Sequence, residues 1–288
     1  VVFMKQVTTV EELRQLVGGA RRTGQSVALV PTMGYLHAGH CTLMQQAKKE
    51  NGLVVASIFV NPLQFGAGED FAVYPRDLER DAAAAAASGV DVLFTPSVEE
   101  MYPQGYENMK TLVTVSGVSE GLCGASRPGH FQGVATVVAK LFHLVQPDRA
   151  YFGQKDAQQV AVIRQMVMDL NWPVDIVAVP IVREADGLAL SSRNVYLSQA
   201  ERTAALVLSR ALQKAQTLLQ AGERRSASVE AAAKEELAQE ALAAVEYVML
   251  VDAASMQPVA EIKQPVVLAL AVRIGKTRLI DNLLWEEC

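Results

Sequence analysis

The sequence predicts an α/β protein: a doubly wound parallel sheet, followed by a smaller C-terminal α+β domain containing an antiparallel sheet. Three observations carry this expectation. Short apolar runs at 27–30, 53–60, 91–95, 149–153 and 174–182 alternate with stretches of helical periodicity. Strands apolar on both faces are what a helix-covered parallel sheet requires. Beyond Arg183 the order changes to two long helical stretches, then three strand-like runs with short turns between them. The spacing therefore divides the chain into residues 1–181 and 182–288.

Taken in order, Thr9 followed three residues later by Glu12 is a capping box and predicts a helix over 9–22. The run at 27–30 predicts a buried strand that Pro31 stops, and the spacing of Leu43, Met44 and Ala47 predicts a helix from about Gly39 or His40. A strand at 53–60 ends in Asn61-Pro-Leu-Gln64, and the two glycines of 66–74 predict a mobile loop. The alanine-rich stretch 77–88 predicts a helix closed by Gly89. Residues 103–133 are rich in turn formers, and helices follow at 134–145 and 157–170 around the strand 149–153. In the second half, helices are expected at 198–221 and 228–244, and strands at 245–251, 266–273 and 277–284.

At 288 residues the chain can bury a substantial core, and half its residues are hydrophobic. A formal charge of −5 excludes a general nucleic-acid binder, because no basic excess is present to displace counterions. Cys41, Cys123 and Cys288 are widely spaced, without a Cys-x-x-Cys pair, which predicts neither a disulfide framework nor a zinc site and suits a reducing cytoplasm. The first seven residues are too short and polar for a signal peptide, and no run reaches membrane-spanning length.

The turn between the second strand and its helix concentrates chemistry. A helix start offers free N–H groups and a positive dipole end to a phosphate, and Gly34 and Gly39 let a nucleotide approach the backbone. His37 and His40, three residues apart, can face one ligand. Read alone, this could be only a tight turn, or half of a metal pair that lacks a third ligand. Two further strand ends carry polar groups. In Gly153-Gln-Lys-Asp156, Lys155 is a point charge for a triphosphate and Asp156 a helix cap or ribose acceptor. In Leu190-Ser-Ser-Arg193, hydroxyls, amides and a guanidinium form an anion cradle, or else a serine-rich linker. Gln64 and Gln159 are amides among apolar residues, able to donate and accept toward a small organic substrate. His130 reads as an active-site donor or, by preference, a loop hydrogen bond, and His143 as structural.

Pro31-Thr-Met-Gly-Tyr-Leu-His-Ala-Gly-His40 resembles the signature of the nucleotidylyltransferase superfamily, whose members attack the α-phosphate of a nucleoside triphosphate. With Ser57-Ile-Phe-Val-Asn-Pro-Leu-Gln-Phe65, Tyr74-Pro-Arg76, Ser126-Arg-Pro-Gly-His-Phe131, Tyr151-Phe-Gly-Gln-Lys-Asp-Ala-Gln-Gln159 and Asp186-Gly-Leu-Ala-Leu-Ser-Ser-Arg-Asn194, the chain resembles the pantothenate synthetase (pantoate–β-alanine ligase) family from end to end. The resemblance implies a Rossmann-like fold with the C-terminal domain as a lid. It implies ATP-dependent condensation of pantoate with β-alanine through a pantoyl adenylate, with Mg²⁺ accompanying ATP, in a cytoplasmic homodimer.

Carried over by position, it places Met33, Gly34, Tyr35, Leu36, His37, Ala38, Gly39 and His40 on ATP, with Gly153, Gln154, Lys155, Asp156, Val182, Leu190, Ser191, Ser192 and Arg193. Of these, His40, His37, Lys155 and Arg193 would be catalytic. Asn61, Gln64 and Gln159 would bind pantoate, Gln64 also β-alanine, and Val134, Val138, Leu141 and Phe152 would wall the dimethyl group. Asp81 is a candidate outer partner of Mg²⁺, and no protein metal site is expected. Gln154 stands where the family usually has glutamate, and Ala157 where it has a bulkier residue, which touches fine affinity only. Two other readings stand beside this one: a nucleotidylyltransferase acting on a phosphorylated small molecule, and a protein that binds ATP without chemistry.

Overall fold

A computed structural model describes residues 4–287, so Cys288 lies outside the described residues; Cys41 and Cys123 are free thiols. The chain divides into two compact units: 1–115, 127–154 and 162–180 form the first, and 116–126, 155–161 and 181–288 the second.

The first unit is built on six parallel strands, β1 (Lys5–Val7), β2 (Val27–Thr32), β3 (Leu53–Ile58), β4 (Val92–Phe94), β5 (Arg149–Gly153) and β6 (Asp175–Val179), in the order β1-β4-β3-β2-β5-β6. The order reverses at β2, so the crevice beyond the carboxyl ends of β2 and its neighbours is where such a sheet binds ligands. Helices α1 (Val10–Arg22), α2 (Ala38–Glu50), α3 (Leu78–Ala87), α4 (Val98–Met101), α5 (Leu122–Ser126), α6 (His130–Val145) and α7 (Ala157–Asp169) occupy the first part of the chain, with α5 and the first residues of α7 belonging to the second unit. One core packs Ala28, Val30, Val54, Ala56 and Tyr151 of the strands against Leu43, Met44 and Ala47 of α2.

The helices of this unit form where their caps stand. Thr9 and Glu12 make the expected reciprocal box on α1. Asp77 caps α3 by accepting from Arg80 N, and the Ser88 amide closes its far end. Three differences from the sequence expectation have physical causes. Strand β2 runs through Pro31 to Thr32. The Val27 amide donates to Asp148 on the β5 side, so the nitrogen of Pro31, four residues on, points the same way. There the pairing with β5 has already ended at Leu29, and no ladder donor is lost. Helix α6 starts at His130, four residues early, because Gly129 in a left-handed conformation opens it. The edge strand β1 escaped notice because three residues, only one of them buried, carry no periodicity.

In the second unit α8 (Gln199–Ala204), α9 (Leu206–Gln220) and α10 (Ser226–Leu237) precede the antiparallel sheet β7 (Ala243–Asp252), β8 (Val266–Ile274) and β9 (Thr277–Trp285). The helix expected at 198–221 is broken at Ala205, and the one expected to reach 244 ends at Leu237, with β7 already begun at Ala243. Leu208, Leu212, Leu219, Val229 and Leu237 from the helices pack against Leu250, Leu268, Leu270 and Val272 of the sheet. A second cluster explains why 116–126 and 155–161 join this unit: Leu122, Ala157 and Ala161 pack on Val251, Met256, Val267 and Ala269.

Within the first unit one close approach sets the ligand end of the sheet. The 3-10 turn Pro62–Gln64 lies on α6 at Gly133, where a Cβ would collide with the Leu63 carbonyl and the Gln64 amide nitrogen. Gly133→Ala is expected to destabilise the protein by about 1–3 kcal/mol, the usual cost of overpacking, as read by urea unfolding. An alanine variant as stable as the parent would show that the turn has room to move.

Candidate active site

The loop after β2 is shaped by one buried carboxylate. Gly34 (φ 85°) and Tyr35 (φ 50°) take successive left-handed conformations, which turn their amides inward. Asp81, 1% exposed at the start of α3, accepts from Tyr35 N at 2.6 Å and Leu36 N at 2.7 Å. A side chain on Gly34 would meet Asp81 Oδ2 at 3.1 Å and Ile58 Cγ2 at 2.8 Å, so glycine serves both the turn and the approach. Arg80, one residue earlier, donates to the Leu36 carbonyl and sets its guanidinium 4.4 Å from the centre of the Tyr35 ring. Each Asp81 oxygen accepts one backbone amide, so the carboxylate is a clamp on the loop.

The clamp delivers His37 to the N-cap of α2. Its Nδ1 accepts from Gly39 N at 3.2 Å, while His40 Nδ1 accepts from His37 N at 3.3 Å, and the rings lie 4.0 Å apart. A ring nitrogen that accepts from an amide carries no proton, so both imidazoles in their neutral form hold the proton on Nε2. The first turn of α2 contains no acidic residue. Two Nε2–H donors and a helix N-terminus, with Ala38 and Gly39 as small first residues, together suit an anionic ligand.

At the end of β3 the unit presents amides. Asn61, 1% exposed, donates from Nδ2 to Gln64 Oε1 and to the Gly133 carbonyl, both at 3.1 Å. Its Oδ1 accepts from Leu63 N at 3.3 Å and from the Tyr102 hydroxyl at 2.7 Å. These four bonds exhaust the side chain. Gln64 Nε2 reaches Met33 Sδ at 3.1 Å, which joins the β2 and β3 loops. Val134, Val138, Leu141 and Phe152 are buried in the same unit. In the loop 66–74, expected to be mobile, both carboxylate oxygens of Glu69 accept from Arg127, at 2.7 and 2.6 Å. Burial alone would raise the Glu69 pKa, but the hydrogen bonds and charge of Arg127 outweigh it and take the carboxyl from an ordinary 4.5 to about 2. His130 Nδ1 donates to the Gln64 carbonyl at 2.9 Å, the loop hydrogen bond its sequence position suggested.

The remaining candidates belong to the second unit. Lys155 lies in a 3-10 turn, Gln154–Asp156, that follows Gly153, and its carbonyl accepts from Asn282 Nδ2 at 2.9 Å. Asp156 is exposed. Gln158 is fully used, donating to the Val118 and Gly121 carbonyls and accepting from Cys123 N, whereas the amide of the half-buried Gln159 is uncommitted among the described residues. Ser191 caps the turn Ser192–Tyr196 by accepting from Arg193 N at 3.2 Å. Leu190 N donates to the Val182 carbonyl at 3.0 Å, and Arg183 next to it pairs with both oxygens of the buried Asp281 at 2.7 and 2.8 Å. Neighbours on β9, Asp281 and Asn282, therefore hold the Val182 and Lys155 segments. The sequence offered no signal for these supports, nor for Tyr102; a lone aspartate leading a run of alanines was the one visible trace of Asp81.

A doubly wound sheet with a histidine-capped helix after its central strand defines a nucleotide-binding α/β enzyme class. Comparison narrows the class. The sequence profile described as Pantoate-beta-alanine ligase matches residues 5–284. Pantothenate synthetase of Heliobacterium modesticaldum is 60% identical over 280 residues, covering 96% of this chain and 99% of that protein. That of Moorella thermoacetica is 56% identical, covering 98% and 99%. The crystal structure of pantothenate synthetase from Thermus thermophilus superposes with a TM-score of 0.92 at 51% identity, covering 97% of this chain and 99% of that one. Pantoate-beta-alanine ligase from Francisella tularensis, complexed with beta-gamma ATP and beta-alanine, gives 0.77 at 33% identity, covering 98% and 97%. The chain belongs to the pantoate–β-alanine ligase family.

Two outcomes test the supports. Asp81→Ala strands two amide N–H groups and is expected to cost roughly 2–6 kcal/mol, from about 1–3 per buried orphaned donor, in urea unfolding. It should also weaken ATP binding by calorimetry. Retained stability with retained ATP affinity would refute the clamp. The Glu69 carboxylate, depressed in the folded state, stabilises fully above about pH 4.5 and loses its contribution as pH falls toward 2. The stability advantage of the parent over Glu69→Gln should therefore shrink across that window; an advantage independent of pH would contradict the pairing.

Proposed function

We propose that this chain condenses pantoate with β-alanine at the expense of ATP, forming a pantoyl adenylate and then pantothenate, AMP and pyrophosphate. The observation that carries it is that the family match, spanning 5–284, falls on a chain that keeps the histidine pair and the Gln64 amide at adjacent strand ends of one unit. The alternative nucleotidylyltransferase reading gives no reason for the Asn61–Gln64 turn and is not favoured by a family match of this extent.

The chemistry asks for little covalent work from the protein. The carboxylate of pantoate must approach an α-phosphate that is itself anionic, so the cost is electrostatic. The Nε2–H groups of His37 and His40, the start of α2, Lys155 and Arg193 oppose that repulsion and stabilise charge gathering on the leaving pyrophosphate. Because each Nδ1 is held by a backbone amide, the rings meet the phosphate already oriented. Val182 offers adenine its N–H and the second lone pair of its carbonyl. Gln64 and Gln159 bind pantoate, and Asn61 serves it through Gln64. The adenylate then presents an activated acyl group to the β-alanine amine, and no side-chain nucleophile is needed.

Mg²⁺ accompanies ATP and offsets phosphate charge. In this reading the ion arrives with the nucleotide, and no step is assigned to it. The reading extends to a cytoplasmic homodimer, as membership of the family suggests. No helix among the described residues is long and apolar enough to cross a membrane.

Labelled pyrophosphate should exchange into ATP in the absence of β-alanine, and only when pantoate is present. With ¹⁸O in the pantoate carboxylate and β-alanine added, one labelled oxygen should appear in AMP. His40→Ala should lower the exchange roughly 10²–10⁴-fold with its circular dichroism unchanged. ADP as product, or exchange indifferent to pantoate, would overturn the adenylate route.

A further inference from the structure

The Gln64 amide has two faces, an acceptor and a donor, and a substrate meets only one of them. Which one is settled behind it. The Gly133 carbonyl can only accept and the Leu63 amide can only donate, so Asn61 between them is oriented with Nδ2 toward Gly133 and Oδ1 toward Leu63. Its second Nδ2 hydrogen then takes Gln64 Oε1, which leaves Gln64 Nε2 directed at the Met33 side. A thioether is a weak acceptor, and an incoming oxygen replaces it at little cost.

The Leu63 bond is long at 3.3 Å, whereas the hydroxyl of Tyr102 reaches the same Oδ1 at 2.7 Å. Tyr102 is 2% exposed, with its ring 5.9 Å from Phe59 and Lys140 Nζ 5.5 Å from the ring centre. Burial pushes its phenol well above the ordinary range, so it remains a neutral donor. Of the two bonds to Oδ1 it is the shorter.

We propose that Tyr102 is a positioning residue for the pantoate step: acting through Asn61, it fixes the Gln64 amide so that its NH₂ group, not its carbonyl, meets an acceptor oxygen of the substrate. The inference rests on the assignment of Gln64 to pantoate. It gives the site a chemical preference for lone pairs over N–H or O–H donors at that point. A phenylalanine in place of Tyr102 keeps the packing but leaves Asn61 Oδ1 with only the long Leu63 bond, so Asn61 and the Gln64 amide behind which it stands are held less firmly and part of the enzyme presents that amide out of position.

The test is a double-mutant cycle on pantoate-dependent pyrophosphate exchange with Tyr102→Phe, Gln64→Ala and the pair. Tyr102→Phe should raise the KM for pantoate about 5–30-fold, the scale of one buried hydrogen bond, with the KM for ATP within twofold. In the Gln64→Ala background the same change should have no further effect on pantoate, because its action passes through the missing amide. Asn61→Asp, which keeps the bonds from Tyr102 and Leu63 but turns an acceptor toward Gln64, should raise the pantoate KM at least as much. Additive effects in the cycle, an unchanged pantoate KM in Tyr102→Phe, or equal losses for ATP and pantoate would overturn the inference while leaving Gln64 in its role. If Tyr102→Phe does not fold, the Asn61→Asp arm decides: an unchanged pantoate KM there overturns the proposal. A Gln64→Ala enzyme with unchanged pantoate KM overturns both the inference and the assignment beneath it.

Discussion

Two hydrogen bonds from the backbone of Tyr35 and Leu36 to the Asp81 carboxylate set the geometry on which the histidine pair depends. A loop that places consecutive residues at positive φ pays conformational energy and points its amides inward, where water cannot reach them. Only a buried acceptor with two oxygens satisfies both at once, and charge assistance makes those bonds short. With the loop so held, His37 falls at the helix N-cap, and in their neutral form the two imidazoles carry the proton on Nε2. Backbone strain, a buried charge and ligand-facing donors are in this way coupled through a single side chain.

The same pattern recurs within each unit. Residues that would touch substrate are backed by residues whose polar capacity is spent on the protein: Gln64 by Asn61, Lys155 by Asn282, and Val182 through its neighbour Arg183 by Asp281. Such backing removes rotamer freedom before the ligand arrives, which is where a precise site finds much of its advantage. Glu69 and Arg127 do the same for the loop beyond Gln64, through an ion pair whose hydrogen bonds and charge outweigh the cost of burial.

How much of this was legible in the sequence follows from the range of each interaction. The alternation of strand and helix, the Thr9–Glu12 box and the glycines of the β2 turn are local signals, and each stands in the structure where expected. The site residues could be named because His37, His40, Gln64, Lys155 and Arg193 sit in contiguous motifs. What stayed hidden links distant positions: Asp81 acts 45 residues from Leu36, and Tyr102 acts 41 from Asn61. Asn61 could be named from its type, but not the distant Gly133 and Tyr102 partners that hold it. The break at Ala205 and the early end of α10 were missed for a related reason, since alanine-rich helical composition continues through positions where tertiary packing stops the helix.

Asp281 and Asn282 are consecutive on β9, so they face opposite sides of the strand, one securing Arg183 and the other the Lys155 carbonyl. They stand only a few residues from the two-residue hairpin turn at Gly275-Lys276 that joins β8 to β9. The spacing along that hairpin therefore sets how the Lys155 and Val182 segments are held. Lengthening or shortening the strand by one residue between turn and pair would exchange their faces and detach both supports together, although no residue near a phosphate had changed. Insertions and deletions should be far less tolerated in this outlying hairpin than its distance in sequence from every signature motif suggests.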